Sequence, residues 1–357
     1  MFETDRNELY PRLTRPDDED AIFQEELTSN RKDWNILNEG WEGKLFVYKS
    51  SVIKTFTPGR SPFRNCAPGM VDKWPTEIAA SLRFAGTEQK TDLDHDENLT
   101  RLTGFLPIRA YFKASPTPTS APEWHLVTPL LRSGNLKDLA KRLSSRSAEG
   151  RSARELDATY RPAFEHLLYA LQRLHDARYC HDDIKPENVF VQNENNWLLG
   201  DLGNLRHVSH PYHSSRLWLD NKQLPDCRSN DVMRILKSYL QFIKTASRQP
   251  EQFDIDFLQG KEPLSRLFWM AANDAPKINT TRLADFSATE YPQRAAVLQV
   301  NEGPFEFTRA ISDLLTQPSK LSKAVNGALE TRMGEKLARW WAMAGIFGIQ
   351  DRETCGF

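Results

Sequence analysis

The segment "YCHDDIKPENVFVQNENNWLLGDLGN", residues 179–204, combines two apolar runs with a high density of polar side chains. The runs VFV and WLL are separated by the polar turn QNENN, a pattern that predicts a β-hairpin. A hairpin brings the loop that enters its first strand close to the exit of its second strand. We therefore expect Asp183, Asn188 and Asp201 to lie together, and their oxygen atoms suit Mg²⁺.

The same loop carries a further charged side chain, Lys185, two positions after Asp183. Phosphoryl transfer needs groups that position the reactants and neutralise negative charge. A carboxylate can orient a hydroxyl group, and a lysine can neutralise a phosphate. The segment therefore predicts a phosphoryl-transfer site.

Composition narrows the class of protein. The chain has 357 residues, 27% of them charged, and a formal net charge of -1, so no global basic field indicates nucleic acid or an anionic membrane as a partner. No apolar run is long enough to span a membrane, and the acidic N-terminus lacks the apolar core of a signal peptide. We expect a soluble cytoplasmic protein, with the nucleus as the alternative location.

The four cysteines are widely spaced. Cys66, Cys180, Cys227 and Cys355 show no CxxC metal-binding pattern. The sequence therefore predicts free thiols in a reducing compartment, with Cys180 as a small buried apolar side chain.

The pattern along the chain predicts two parts of different structure. Residues 1–30 form a polar extension with one helix through DEDAIFQEELTS. Residues 31–131 are mostly strand, with one helix through WPTEIAASLRF, and residues 132–350 are mostly helical, followed by a tail at 351–357. The expected fold class is α+β, with a small β-rich lobe, a larger helical lobe and a cleft between them.

These motifs resemble those of the eukaryotic-type protein kinase superfamily over roughly residues 31–345. HDDIKPEN is similar to the kinase catalytic loop H-R-D-x-x-x-x-N, and DLG is similar to the metal-binding D-F-G. The spacing of 18 positions from Asp183 to Asp201 fits that family. Lys185 resembles the lysine of Ser/Thr-specific members, and the whole chain looks closest to divergent fungal kinase-like proteins.

The resemblance implies a role for each polar residue of the segment. Asp183 would orient the substrate hydroxyl, Lys185 would steady the transferred phosphoryl group, and Asn188 with Asp201 would hold Mg²⁺. The implied cofactors are ATP and Mg²⁺, and the implied substrate is a protein Ser/Thr side chain. The oligomeric state is left open.

The β-rich part supplies the matching ATP-binding candidates. In SVIKTF, Val52 and Lys54 share one strand face, so Val52 can touch adenine while Lys54 reaches the α- and β-phosphates. Glu77 would be the helix partner of Lys54. Lys44 and Lys49 are rival lysines, but neither lies in such an apolar run.

The segment HLVTPLLRSGNL is similar to the kinase strand and hinge that carry adenine. Thr128 would be the gatekeeper, and Pro129 would offer its carbonyl and Leu131 its N–H to the adenine ring. Only Gly40 and Gly43 stand where the family has G-x-G-x-x-G, so the loop over the phosphates is incomplete.

Two departures bear on regulation and on peptide binding. Asp182 replaces the arginine of H-R-D, and a carboxylate there would repel a phosphorylated loop. We therefore expect activity without phosphorylation of Ser209, Ser214 or Ser215. The A-P-E motif is missing, although Asp231 matches the family's structural aspartate.

Three functions are compatible with these features. The leading hypothesis is an active ATP-dependent protein Ser/Thr kinase. A nucleotide-binding pseudokinase is the second, because the glycine loop is thin and A-P-E is absent. The third is a small-molecule phosphotransferase of the aminoglycoside or choline kinase type, which shares H-x-D-x-x-x-x-N but generally lacks the lysine found at Lys185.

Overall fold

The structure, a computed structural model, describes the following residues: 18–40, 42–57, 65–66, 73–86, 103–117, 119–145, 150–292 and 318–331. The predicted tail at 351–357 and the first part of the N-terminal extension lie outside the described residues. The chain forms two compact units. One contains the described residues up to Arg132 together with Gly200–Leu205, and the other contains Ser133–Leu199 and the described residues from Arg206 onward.

The first unit is built on an antiparallel sheet of five strands in the order β1-β2-β3-β7-β6. Its elements are α1 (Asp18–Ser29), β1 (Asn35–Glu39), β2 (Lys44–Tyr48), β3 (Ser51–Thr55), the short pair β4 (Asn65–Cys66) and β5 (Lys73–Trp74), α2 (Thr76–Phe84), β6 (Ala110–Ala114) and β7 (Glu123–Pro129). The predicted strands and both predicted helices of this part are confirmed.

The sheet buries a different set of side chains on each face. Along β3 burial alternates, so Ile53 is buried on one face while Val52 and Lys54 are half-buried on the other. The Ile53 face packs against α1 through Leu27. On the opposite face, an apolar cluster includes Ile78 of α2. This packing brings α2, with Glu77, against the face that carries Lys54.

The second unit is mainly helical. Its elements are α3 (Leu136–Ser145), α4 (Ala153–Asp176), β8 (Tyr179–Cys180), β9 (Val189–Asn193), β10 (Asn196–Leu199), β11 (Arg206–His207), α5 (Arg216–Asp220), α6 (Cys227–Ala246), α7 (Pro250–Gln259), α8 (Pro263–Asn273), α9 (Thr280–Thr289) and α10 (Pro318–Ala328). The predicted hairpin is confirmed, because β9 and β10 pair antiparallel. The chain is thus α+β, with its sheet in the N-terminal part and its helices mostly in the C-terminal part.

Helix α6 is buried along most of its length and packs against α3, α4, α7 and α8. A buried polar group joins it to α4: the Arg161 guanidinium donates to Asp157 at 2.6 Å, and the Tyr239 hydroxyl donates to the same carboxylate at 2.7 Å. Burying this charge is tolerable because it is paired and hydrogen-bonded. The helix is therefore a fixed support for the loops that contact it.

Helix α4 begins inside the Ser/Arg-rich stretch of residues 144–154. The Ser152 side chain accepts from the Glu155 N–H, and the Glu155 side chain accepts from the Ser152 N–H, which makes a capping box. The spacing S-x-x-E was the signal for this helix start, and it lies inside the Ser/Arg-rich stretch.

Cys180 and Cys227 form a disulfide, so the prediction of free thiols is wrong for this pair. Cys180 lies on β8 and Cys227 is the first residue of α6. Their Cα atoms are 6.0 Å apart, although 47 positions separate them in sequence. The predicted burial of Cys180 is confirmed. Because disulfides persist in oxidising compartments, the argument for a reducing compartment loses its basis here. The cytoplasmic location stays a prediction.

Among the described residues, no helix has both the length and the apolar character needed to cross a membrane.

Candidate active site

Lys54 is the centre of an ionic cluster in the first unit. Its Nζ lies 2.5 Å from Glu77 Oε2 and 3.0 Å from Asp201 Oδ1. Lys54 lies on β3, Glu77 lies in the first turn of α2, and Asp201 lies in the short segment of this unit that follows β10. We call these three residues the lysine cluster. The predicted pairing of Lys54 with Glu77 is confirmed.

The lysine cluster contains two carboxylates and one ammonium group. Burial opposes the charge on Lys54, but the carboxylates of Asp201 and Glu77 outweigh it and raise the pKa of Lys54 well above its ordinary value. Burial raises the pKa of Glu77 to about 7, against the effect of Lys54 and with a contribution from Asp201. The lysine therefore stays charged, while the charge on Glu77 changes near pH 7.

The backbone at Asp201 has a left-handed conformation, with φ of 56°. This region is costly for a residue other than glycine and is found where surrounding structure imposes it. Asp201 keeps about 31% of its side chain exposed while it contacts Lys54. One carboxylate of the cluster is therefore accessible to a ligand from solvent.

The two predicted phosphate-loop glycines, Gly40 and Gly43, differ in whether their positions can hold a side chain. A Cβ on Gly43 would overlap the Thr55 carbonyl oxygen at the end of β3, so this position needs glycine. At Gly40 a Cβ would lie 3.9 Å from the Gly43 carbonyl oxygen, which is ordinary contact. Only Gly43 is fixed by close approach of the backbone.

The candidate adenine-contacting residues lie on neighbouring strands. Val52 of β3 pairs with Thr128 of β7, so the two side chains share a sheet face. Pro129 pairs with Ser51 at the end of β7, and Leu131 follows two residues later and is half-buried. The structure thus brings Val52 and Thr128 onto the face that carries Lys54.

Asp183, Lys185 and Asn188 form a second group, in the loop between β8 and β9; we call it the Asp183 group. Lys185 Nζ donates to Asp183 Oδ2 at 2.8 Å. The Asn188 amide nitrogen donates to the Asp183 carbonyl oxygen at 2.9 Å and to its carboxylate at 3.2 Å. Since the nitrogen of Asn188 is engaged by Asp183, its amide oxygen is the atom that could contact a metal.

Asp231 of α6 anchors the backbone of this loop. Its buried carboxylate accepts from the N–H of His181 at 2.6 Å and from the N–H of Asp182 at 3.0 Å. His175 Nε2 lies 3.3 Å from the same carboxylate. Asp231 lies on α6, and both histidines are buried. The rigid helix α6 thus fixes the two residues that precede Asp183.

Asp182 makes contacts that the sequence did not predict. Its Oδ2 lies 3.0 Å from Arg206 Nη1 and 2.9 Å from His213 Nε2. Burial favours the neutral acid, but the hydrogen bond from His213 and the charges of Arg206 and Arg234 hold the pKa of Asp182 below its ordinary value. We call Asp182, Arg206 and His213 the Asp182 cluster. No local pattern marks the two partners of Asp182, which lie 24 and 31 positions from it in the sequence.

The structure therefore gathers the sequence-predicted residues into two groups, one in each unit. The lysine cluster and its neighbours on the sheet belong to the first unit, and the Asp183 group belongs to the second. Within the part of the chain that the structure describes, no three His, Cys, Asp or Glu side chains gather to hold a metal ion. The predicted Mg²⁺ set has a different composition, with one carboxylate and one amide from the protein.

Comparison of the chain with protein-family models gives no match, and comparison with curated proteins gives none either.

Proposed function

We propose that this protein is an ATP-dependent protein serine/threonine kinase that transfers the γ-phosphoryl group of MgATP to a hydroxyl. The observation that carries the proposal is the lysine cluster, in which a half-buried lysine is held by one helix carboxylate and by the aspartate of the DLG motif. This is the pairing that a phosphate-binding lysine needs in order to stay charged and oriented.

The Asp183 group supports the same proposal independently. Lys185 contacts the Asp183 carboxylate at 2.8 Å, so a general base and a positive charge lie side by side in one loop. A base of this kind can orient a hydroxyl, and the lysine can balance the charge that develops on the transferred phosphoryl group. Without a phosphate-binding lysine such as Lys54, the pair of Asp183 and Lys185 alone would give the kinase proposal much weaker support.

The residues present fit the implied cofactors. Lys54 would contact the α- and β-phosphates, Val52 and Thr128 would border the adenine, and Pro129 and Leu131 would supply its backbone hydrogen bonds. Mg²⁺ on nucleotide phosphates commonly uses one or two protein carboxylates, with waters and phosphate oxygens completing its shell. Asp201 and Asn188 would supply the protein oxygens, and the Asp201 carboxylate is accessible from solvent. When bound, Mg²⁺ neutralises phosphate charge.

A γ-³²P-ATP transfer assay with Mg²⁺ tests the proposal, with casein and myelin basic protein as acceptors and autophosphorylation measured in the same samples. We expect label on Ser or Thr that is lost in both Asp183→Asn and Asp201→Ala. Asp176→Asn is the matched control, because Asp176 is an exposed carboxylate on α4 that accepts a surface hydrogen bond from Gln172.

The other outcomes separate the competing functions. Mg²⁺-dependent ATP binding that needs Lys54, without transfer to any protein, would favour the pseudokinase hypothesis. Transfer to aminoglycosides or choline, without protein labelling, would favour a small-molecule phosphotransferase. Labelling that persists in Asp183→Asn would contradict the assigned role of Asp183.

A further inference from the structure

We propose that Asp182 is a positioning residue, whose buried carboxylate ties the Asp183 loop to the segment 206–214 through Arg206 and His213 and so replaces an activating phosphorylation. This inference rests on the proposed function, because it concerns how the phosphotransfer site is kept in its active arrangement. The Asp182 cluster is its physical basis.

The backbone of the Asp183 loop is constrained at His181 and Asp182. The N–H groups of both residues donate to the Asp231 carboxylate, and the backbone of Asp182 is left-handed, with φ of 64°. Only 2% of the Asp182 side chain is exposed. A buried carboxylate in a strained backbone position persists only where its partners stabilise it, and here those partners come from another segment. Asp183 follows directly, so its position depends on the same contacts.

The segment 206–214 is arranged around this carboxylate. His213 Nδ1 lies 3.2 Å from the Val208 carbonyl oxygen, while Nε2 lies 2.9 Å from Asp182. Both ring nitrogens therefore face oxygen atoms of the chain, which fixes the orientation of the ring. The Arg206 guanidinium also stacks over the Tyr212 ring at 4.0 Å.

An apolar contact reinforces this arrangement. Trp218 packs against the Cys180–Cys227 disulfide, with Val208 and Tyr212 beside it. The N–H of Val208 donates to the Arg178 carbonyl oxygen at 2.9 Å, which joins the segment to β8. The segment is thus bound to the loop by charge, by a backbone hydrogen bond and by packing.

The anion of the Asp182 cluster is a side chain of the protein itself, and this bears on regulation. Positive side chains in this segment would ordinarily be available to bind a phosphate group. Here Arg206 and His213 already contact an anion that the chain itself supplies. A phosphate on Ser209, Ser214 or Ser215 would have to compete with a buried carboxylate, so the active arrangement needs no modification.

Hydrogen exchange and steady-state kinetics on the full chain test this proposal. We expect Asp182→Asn to accelerate exchange at the Val208 and His213 amides by about tenfold. The same variant should lower kcat about tenfold and leave KM for MgATP within about twofold, because the ATP-binding residues lie in the first unit. Phosphatase treatment of the wild type should leave its rate unchanged.

Two further variants keep the test decisive. Arg206→Gln removes the positive charge that contacts Asp182. The Arg206 side chain is 12% exposed and thus less deeply buried than Asp182, so this variant tests the contact even if Asp182→Asn does not fold. It should reproduce both effects. Asp220→Asn is the control, because Asp220 pairs with Arg216 on the exposed surface of α5, and it should change neither exchange nor kcat.

The exchange measurement does not require catalysis, so the inference about the Asp182 contacts and the proposed function can fail separately. Faster exchange in a chain that transfers no phosphate would support the Asp182 contacts and overturn the kinase proposal. Unchanged exchange in both variants would overturn the inference, as would faster exchange with unchanged kcat. Activity that phosphatase abolishes and phosphorylation of Ser209, Ser214 or Ser215 restores would also overturn it.

Discussion

The lysine cluster and the Asp182 cluster have opposite charge patterns. In the first unit a half-buried lysine, Lys54, lies between two carboxyl groups. In the second unit a buried carboxylate, Asp182, lies between the side chains of Arg206 and His213. The first cluster thus leaves the carboxylate of Asp201 accessible to solvent, while the second encloses its carboxylate among its own partners.

This difference separates two tasks. The lysine cluster is suited to bind a ligand that brings a divalent cation, because the carboxylate of Asp201 is accessible to solvent. The Asp182 cluster is almost wholly buried and is braced by a disulfide, so it is suited to hold chain segments together. We infer that the first cluster serves binding and the second serves positioning.

The largest effect is expected from removing the disulfide that supports the Asp182 cluster. For a separation of 47 residues, loss of the Cys180–Cys227 bond should lower the free energy of unfolding by roughly 4 kcal/mol. Chemical denaturation with and without reductant measures this effect. The double variant Cys180→Ser/Cys227→Ser should be insensitive to reductant. If reductant does not change wild-type stability, the bracing role is wrong.

The sheet of the first unit should respond to pH through His125. The ring is buried and accepts from Arg31 at Nε2, 3.2 Å away, while Nδ1 donates to the Glu123 carbonyl oxygen at 3.0 Å. Burial, aided by the charge of Arg31, lowers the pKa of His125 to about 4. Its neutral form therefore stabilises the fold above pH 6.5, and this stabilisation is lost as the pH falls towards 4.

The size of this pH effect is about 3 kcal/mol, because each unit of pKa shift corresponds to about 1.4 kcal/mol. Unfolding free energies of the wild type and of His125→Gln, measured from pH 7 to pH 4, provide the comparison. Glutamine retains a donor and an acceptor but does not titrate in this range. An equal pH dependence in both proteins would contradict the assignment.

A smaller effect should distinguish the two glycines near the lysine cluster. Gly43→Ala would force a methyl group against the Thr55 carbonyl oxygen, at a cost of about 2 kcal/mol. Gly40→Ala is the matched control and should change stability by less than about 0.5 kcal/mol. Thermal unfolding and MgATP affinity of both variants test this contrast. Equal effects would mean that the loop relaxes freely around Gly43.

Local patterns predicted the elements that carry the candidate residues. Alternation identified β3 with Val52 and Lys54 on one face, and helical spacing identified α6 with Asp231. Helix α5, which has five residues, was missed because so short a segment has no readable period.

The contacts of Asp182 and the disulfide could not be predicted from local patterns. Arg206 and His213 are ordinary charged and polar residues in sequence, and Cys180 lies far from Cys227. Each partner becomes apparent only when β11, α6 and the loop after β8 are brought together by the fold. Pattern reasoning finds which face a residue occupies, but not which distant side chain meets it.

The division between binding and positioning is tested most directly by measuring MgATP affinity and phosphoryl transfer on Lys54→Met and Asp183→Asn. We expect Lys54→Met to bind MgATP at least about tenfold more weakly and to lose transfer as well. Asp183→Asn should bind MgATP as the wild type does while transfer falls by about 10² to 10⁴. Wild-type transfer in Asp183→Asn, or unchanged MgATP affinity in Lys54→Met, would contradict the account.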